Sequence, residues 1–187
     1  SLGDAKLEEW TLAIGDIIVG IDIGTSKVSL VIGEVNNFNQ IEVICTTTHK
    51  CNGIRKGKIV DENEIASSIH HLIKDAESET DLKINSAYVT IPGKYVTIVK
   101  NSVVKEAKDK YAGISAKDVV SSIMQVKDID IPEGKQIIDI VENQFVLENG
   151  RTVSDPVGNL SGSFTLKAEV ILADREYMKQ IASIFRK

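Results

Sequence analysis

The chain has 187 residues, 42% of them hydrophobic and 26% charged, with a net charge of −5; these values are typical of a globular protein of one or two domains. No basic patch favours a nucleic-acid partner, and no apolar run approaches the roughly 18 residues of a membrane span. The cysteines Cys45 and Cys51 form no CxxC motif and no cluster with histidine, so we expect reduced thiols in a cytoplasmic protein.

Residues 1–15 are interpreted as an N-terminal arm. Ser1 and Leu2 resemble residues left by expression cloning and are excluded from reasoning about the fold. Leu7, Trp10 and Leu12 could anchor part of the arm by packing their apolar side chains on the domain that follows.

Two apolar runs after the arm predict a β-hairpin. The runs are Ile17–Ile23 and residues 28–35, both rich in the branched side chains that favour strands, and residues 24–27 connect them. A third run, residues 41–48, predicts another strand. Residues 52–58 then form a basic turn. Its positive residues, together with Lys50 just upstream, are either part of a solvated loop or a further surface facing a phosphate.

The residues around the predicted hairpin turn are of the types that bind phosphate. Gly24 lets backbone N–H groups approach a ligand and is expected to need a positive φ, while Thr25 and Ser26 add hydroxyl donors. Lys27 adds a positive charge, and Asp22 can hold a hydrated Mg²⁺. Ordinary turns between buried strands use the same residues, so the pattern alone leaves both interpretations open.

A helix is predicted next. Asp61 followed by Glu64 has the spacing of a capping box, and the apolar face would comprise Ile65, Ile69, Leu72, Ile73 and Ala76. His70 and His71 lie on this helix, but adjacent helical positions point about 100° apart and cannot easily ligate one metal ion.

From residue 85 the pattern restarts with strand-like runs at residues 87–91, 96–99 and 102–104, broken by Pro92-Gly93. Ser115 and Asp118 predict the start of a second helix with an apolar face of Val119, Val120, Ile123 and Val126. The block that starts at residue 85 is therefore predicted to begin with a strand followed by a helix.

Two strands are predicted at residues 136–141 and 144–147, on either side of Glu142-Asn143. Residues 164–173 alternate as in a half-buried strand. Asp174 would cap a last helix with an apolar face of Met178, Ile181, Ala182 and Phe185. Met178, Ile181 and Phe185 would form an exposed apolar stripe that favours self-association.

Several motifs resemble one family in the same order along the chain. The strand–Asp-x-Gly-Thr-Ser-Lys–strand pattern resembles the first phosphate loop of the actin/Hsp70/sugar-kinase superfamily, and VGIDIGTSKVSLVIGEV is most similar to the FtsA family of bacterial cell-division proteins. Further segments similar to that family are GIRKGKIVDENEIASSI, AYVTIPGKYV, QIIDIVENQFVLENG, DPVGNLSG and LKAEVILAD.

The resemblance implies an α/β fold. An incomplete actin-like (ribonuclease H-like) subdomain, called 1A in the family, would comprise residues 16–84 and 174–187. An inserted strand–helix–strand–strand subdomain, called 1C, would comprise residues 85–173. The family's second lobe and its C-terminal amphipathic helix do not occur in this sequence, so we expect an N-terminal fragment of a longer protein.

The resemblance also implies an ATP-binding role without catalytic residues, and at most weak ATPase activity in the full-length protein. Asp22, Gly24, Thr25, Ser26 and Lys27 would contact ATP, with Asp22 also serving the Mg²⁺. The full-length protein would self-associate into filaments and tether FtsZ filaments to the inner face of the membrane at the division site. It would recruit later division proteins through residues 85–173.

Two alternatives remain open from the sequence. One is a cytoplasmic actin-like scaffold, such as a pilus-assembly ATP-binding protein. The other is a kinase or chaperone-type ATPase of the same superfamily. Neither of these enzyme classes is expected to carry a strand–helix–strand–strand insertion at residues 85–173, which favours the FtsA-like interpretation over the second alternative.

Overall fold

The computed structural model describes residues 12–187, which divide into two compact units. Unit 1 contains the described residues up to Thr90 together with Gln180–Lys187, and unit 2 contains Ile91–Lys179. The divisions fall at 90/91 and 179/180, whereas the sequence placed them at 84/85 and 173/174. The first shift arises because a short strand that ends at Val89 pairs with the sheet of unit 1. The predicted packing of Leu7 and Trp10 lies outside the described residues.

Unit 1 is built on a four-stranded sheet with the order β3-β2-β1-β6. The bounds are β1 Ile17–Ile23, β2 Lys27–Val35, β3 Ile41–Lys50 and β6 Tyr88–Val89. Strands β1, β2 and β3 pair antiparallel, as the predicted hairpin requires, and β6 pairs parallel with β1. A two-stranded hairpin of β4 Ile54–Arg55 and β5 Lys58–Ile59 follows β3.

Helix α1, Glu62–Thr80, packs on one face of this sheet, against β2 and β3. Its buried residues are Ile65, Ala66, Ser68, Ile69, Leu72 and Ala76, close to the predicted face. Asp61 caps the helix by accepting a hydrogen bond from the amide of Glu64 at 2.9 Å. The predicted capping box is incomplete, because the Glu64 carboxylate accepts from the Asn52 amide at 2.7 Å instead of returning to Asp61.

Unit 2 has the predicted strand–helix–strand–strand order. Its elements are β7 Val96–Glu106, α2 Ala116–Val126, β8 Lys135–Leu147, the short β9 Thr152–Val153, and β10 Ser163–Asp174. The sheet order is β7-β10-β8-β9, with every pair antiparallel. The two strands predicted around Glu142-Asn143 are one strand, β8, because the register with β10 skips Asn143 as a bulge.

One face of β10 forms the centre of the core of unit 2, as its alternation predicts. Phe164, Leu166, Ala168, Val170 and Leu172 are all buried there. Helix α2 covers this face with Ile123 and Val126. Val120 was assigned to the same helical face, but its side chain is exposed, and the buried positions on α2 also include the polar Asp118 and Ser122.

Helix α3, Arg175–Arg186, starts as predicted at Asp174, whose carboxylate accepts a hydrogen bond from the Tyr177 amide at 2.8 Å. The predicted exposed stripe is wrong at Ile181, which is buried, and confirmed at Phe185, because the helix is rotated relative to the expected face. Its buried residues are Tyr177, Ile181 and Ile184, while Phe185 is exposed. Among residues 12–187, no helix is both long enough and apolar enough to cross a membrane.

The capping box of α2 makes a pH-dependent prediction for unit 2. The Ser115 amide and hydroxyl both donate to the Asp118 carboxylate, at 2.9 Å and 2.8 Å. The hydrogen bond from the Ser115 backbone lowers the pKa of Asp118, although burial acts in the opposite direction. A carboxyl with a lowered pKa stabilises the fold above its unfolded value of about 3.9, and this contribution is lost as the pH falls through the folded value.

We therefore expect Asp118→Asn to lower the free energy of unfolding by about 1 kcal/mol at neutral pH. The difference from the parent protein should shrink as the pH falls below about 3.9, where the unfolded chain becomes protonated, and disappear once the folded parent also loses the charge. Urea unfolding at several pH values measures this, with Asp128→Asn, an exposed carboxyl of the same unit, as the control. An Asp118→Asn deficit that stays constant down to pH 2 would contradict the assignment.

Candidate functional site

The hairpin between β1 and β2 places the predicted phosphate-binding residues at one end of the sheet of unit 1. The Gly24 amide donates to the Lys27 carbonyl at 2.9 Å and closes the turn. This hydrogen bond uses the Gly24 N–H, which was predicted to be open to a ligand. Gly24 was also predicted to need a positive φ, and it does not have one. Glycine is required for another reason: a Cβ there would lie 2.9 Å from the Lys27 carbonyl oxygen.

Thr25 and Ser26 form the exposed tip of the hairpin. In the described part of the chain, neither amide N–H of these two residues has an acceptor. The Ser26 carbonyl accepts a hydrogen bond from the Cys51 amide at 3.0 Å, which fixes the turn to the end of β3. The tip therefore presents two amide donors and two hydroxyl groups from a turn that is held on both sides.

Asp22 lies two residues before the turn, on the face of the sheet opposite α1, called here the outer face. Its Oδ1 accepts a hydrogen bond from the Thr90 hydroxyl at 2.6 Å. Thr90 follows β6, and its amide donates to the Ile21 carbonyl at 3.1 Å, so β6 brings the hydroxyl to the carboxylate. No local sequence pattern identifies Thr90, because parallel pairing between distant segments leaves none.

Two transverse rows of polar side chains cross the outer face near the hairpin turn. The first row continues from Asp22 to Ser29 and Thr48, which the strand register aligns, and the two hydroxyl oxygens lie 3.4 Å apart. The second row pairs Lys27 directly with Lys50, and both side chains are exposed. The carboxylate, the hydroxyls and the two ammonium groups are thus gathered at one end of the sheet.

A shallow cavity of about 270 Å³ adjoins the first row on the outer face. Its lining includes Gly20, Asp22, Val31, Thr46, Tyr88 and Thr90. The Asp22 carboxylate and the Thr90 hydroxyl are at the polar end, and the remainder is mostly apolar. The cavity is therefore suited to an apolar or aromatic group next to the polar row.

The histidines and cysteines form no metal site in the described residues, where no cluster of three or more His, Cys, Asp or Glu side chains occurs. His71 stacks on His49, with ring centroids 5.1 Å apart, and His70 points elsewhere on the exposed side of α1. Cys45 and Cys51 are free and buried. Burial raises the pKa of the Cys45 thiol, and the nearby Glu79 raises it further, so this thiol is a poor nucleophile.

Comparison with known proteins supports the FtsA-like interpretation of both units. Residues 93–172 match the family model described as the SHS2 domain inserted in FtsA, which is unit 2 almost entirely. The cell division protein FtsA of Pseudomonas aeruginosa is 28% identical over 157 residues, which are 84% of this chain and 37% of that protein. FtsA of Borreliella burgdorferi is 30% identical over 142 residues, 76% of this chain and 34% of that protein.

A solved structure of a type IV pilus biogenesis complex, PilM-PilN, contains a chain with a similar fold. Its TM-score is 0.56 at 13% identity, and the match covers 90% of this chain and 44% of that chain. The α/β, actin-like fold class with an inserted subdomain is confirmed, and so is the resemblance to FtsA. This chain spans little more than a third of the length of the two FtsA relatives.

The close approach at Gly24 makes a prediction about the hairpin. Gly24→Ala should lower the free energy of unfolding of unit 1 by about 1–3 kcal/mol, because the added methyl group collides with a backbone oxygen that cannot rotate away. Gly93→Ala, in unit 2, is the control for a methyl group that collides with nothing, since a Cβ there meets nothing within 4 Å and the φ is not positive. It should change the free energy of unfolding of either unit by no more than about 0.5 kcal/mol. Thermal or urea unfolding measures both variants, and equal effects would contradict the steric argument.

Proposed function

We propose that this chain is the N-terminal part of an FtsA-type, actin-like protein that binds ATP and acts in bacterial cell division. The observation that carries the proposal is the SHS2 match over residues 93–172, next to a unit whose first hairpin has the Asp-x-Gly-Thr-Ser-Lys sequence. Sequence similarity to FtsA extends over both parts, which a shared fold alone would not require.

The hairpin would contact the β- and γ-phosphates of ATP. The amides of Thr25 and Ser26 are open donors at the tip, and successive backbone N–H groups in a turn form a favourable environment for an anion. Their hydroxyls add further donors, and Lys27 supplies positive charge from the start of β2. Gly24 contributes by allowing the tight turn, because its own amide is already bonded within the hairpin.

Asp22 fits the predicted role in binding Mg²⁺. Mg²⁺ in nucleotide sites is commonly held by one or two carboxylates together with water and phosphate oxygens. Asp22 is exposed, one of its oxygens is fixed by Thr90, and the other accepts no hydrogen bond from a described residue. The second oxygen is thus available to a water molecule of the metal's hydration shell.

In the full-length protein, nucleotide bound between two lobes would favour the closed state and filament formation, because a ligand shifts an equilibrium towards the state that it contacts better. The protein would connect FtsZ filaments to the membrane and bind later division proteins through its inserted subdomain. It would be a weak ATPase at most, since the hairpin supplies binding groups and no general base other than Asp22.

A role in pilus assembly is the second candidate. The similarity to the PilM-PilN complex concerns the fold alone at 13% identity, whereas the FtsA relatives match in sequence over three quarters or more of the chain. The SHS2 match also names FtsA. These observations favour cell division.

Binding of Mg-ATP tests the proposed phosphate loop. We expect the full-length protein to bind Mg-ATP and Asp22→Ala to weaken this binding by about tenfold or more, through loss of a charged contact. Thr90→Val should weaken it less, because the carboxylate remains but is no longer held in place, and Thr90→Ser should retain the parent's affinity. Asp75→Ala, an exposed carboxylate on α1, is the control. Isothermal titration calorimetry measures all four.

The 187-residue chain by itself should bind ATP far more weakly, because ATP in an actin-like cleft is enclosed by two lobes and well-formed sites bury about 70–90% of a ligand. Micromolar affinity of the isolated chain would contradict this. If Asp22→Ala and Thr25→Ala both bind Mg-ATP like the parent in the full-length protein, the hairpin is an ordinary turn and only the fold resemblance remains.

The tethering role has a separate test. Mixed with lipid vesicles, purified FtsZ should float with the vesicles only when the full-length protein is present, because FtsZ is proposed to reach the membrane through it. The 187-residue chain should not support flotation, since it spans little more than a third of the length of the FtsA relatives that it matches. Flotation of FtsZ that does not depend on the full-length protein would contradict the tether, whatever the outcome for ATP.

A further inference from the structure

Two lysines face each other across neighbouring strands on the outer face of the sheet in unit 1. Lys27 begins β2, Lys50 ends β3, and the antiparallel register pairs them directly. Side chains at directly opposed positions have Cβ atoms roughly 4.5–5.5 Å apart, and like charges placed in this way destabilise a sheet. Both side chains are exposed, so each can turn towards a common ligand.

No carboxylate compensates this repulsion. Neither Lys27 nor Lys50 forms an ion pair with a residue in the described part of the chain. Asp22 is on the same face, but it belongs to the neighbouring row, where it is paired with Ser29 and bonded to Thr90. Among residues 12–187, the two opposed positive charges therefore have no ion-pair partner.

The lysine pair adjoins the hairpin tip. The amides of Thr25 and Ser26, immediately before Lys27, lack acceptors among residues 12–187. The hydrogen bond from the Cys51 amide to the Ser26 carbonyl holds the residue after Lys50 against the turn. Backbone contacts therefore hold the two amide donors and the backbone of both lysines within one small region, and the exposed lysine side chains can reach it.

We propose that Lys50 and Lys27 together form a lysine clamp for the phosphoryl groups of a di- or triphosphate held at the hairpin. The proposal rests on the proposed function of the hairpin as a phosphate loop and adds Lys50 as a binding residue. An anion between the two ammonium groups would turn their repulsion into two favourable charge-assisted contacts. From the sequence, Lys50 lies just before a basic turn that could be a solvated loop or a surface facing a phosphate. The strand register distinguishes Lys50 from that turn, because it pairs Lys50 with Lys27.

The neighbouring basic residues differ from the clamp in position. Arg55 and Lys58 also face each other, but they lie on the separate β4–β5 hairpin. Neither residue is next in sequence to the open amides of Thr25 and Ser26. Lys74 is exposed on α1, which packs on the opposite face of the sheet. Charges separated by more than about 8 Å are largely screened at physiological ionic strength, so Lys74 provides a matched control for loss of one positive charge.

The test uses the 187-residue chain with pyrophosphate as the probe, at constant ionic strength and without divalent metal. Amide chemical shifts in ¹⁵N-labelled protein should move at Thr25 and Ser26 during the titration. Lys50→Gln should weaken pyrophosphate binding by about tenfold, and Lys27→Gln by a similar factor. Lys74→Gln should bind as the parent does.

The clamp also predicts that Lys50→Gln weakens pyrophosphate binding but raises the stability of the protein without pyrophosphate. Without pyrophosphate, Lys50→Gln should melt at a higher temperature than the parent, because the variant removes the repulsion. Saturating pyrophosphate should raise the melting temperature of the parent more than that of Lys50→Gln. A lysine that is merely structural or solvated would show neither the gain in stability nor the loss of affinity.

The outcomes separate the clamp from the phosphate loop. If Thr25 and Ser26 shift and Lys27→Gln weakens binding while Lys50→Gln does not, the loop stands and the clamp is overturned. If Lys74→Gln weakens binding as much as Lys50→Gln, the effect is general electrostatics and the clamp is also overturned.

If pyrophosphate moves no amide of the tip, the clamp fails, whereas Mg-ATP binding by the full-length protein still decides the proposed function. A tenfold loss on Lys50→Gln for ATP in the full-length protein identifies the nucleotide, rather than free pyrophosphate, as the source of the phosphoryl groups.

Discussion

The antiparallel pairing of β1 with β2 is the constraint on which the candidate site depends. Strand side chains alternate between faces, so the pairing that buries Val28 and Leu30 beneath α1 also directs Lys27 and Ser29 to the outer face. A slip of one residue would exchange the two sets, and the apolar core prevents it. The same hydrophobic burial that stabilises unit 1 therefore fixes the position of its polar chemistry.

The two units differ in what their sheets present: the sheet of unit 1 has an exposed polar face, and the sheet of unit 2 forms the centre of a separate core. In unit 1 the sheet has one face packed on α1 and an outer face that carries a carboxylate, hydroxyls and lysines near a turn with open amides. Unit 2 has its own core, centred on β10 and closed by α2, which explains how a complete subdomain can be inserted into an actin-like fold. Unit 2 is similar to the SHS2 domain inserted in FtsA, and the nucleotide-binding role of the hairpin in unit 1 is our proposal.

Local patterns predicted what short segments determine. The β1–β2 hairpin, the Ser115–Asp118 cap and the alternation of β10 all depend on residues close in sequence, and the structure contains each of them. Contacts between distant segments were missed: Thr90 reaches Asp22 over 68 residues, and Lys50 meets Lys27 only through the register of β3. Gly24 was predicted to need a positive φ and does not have one. The steric need for glycine there depends on the closed turn, which brings a carbonyl oxygen close, and cannot be seen in the residue type.

The central claim is that the hairpin around Gly24 holds the phosphates of a nucleotide. A crystal structure of the full-length protein with Mg²⁺ and a non-hydrolysable ATP analogue tests it most directly. Phosphate oxygens are expected within about 3.2 Å of the Thr25 and Ser26 amide nitrogens, with Asp22 facing the hydration shell of the metal ion. A nucleotide bound with its phosphates away from this turn, or with the Thr25 and Ser26 amides still facing solvent, would contradict it.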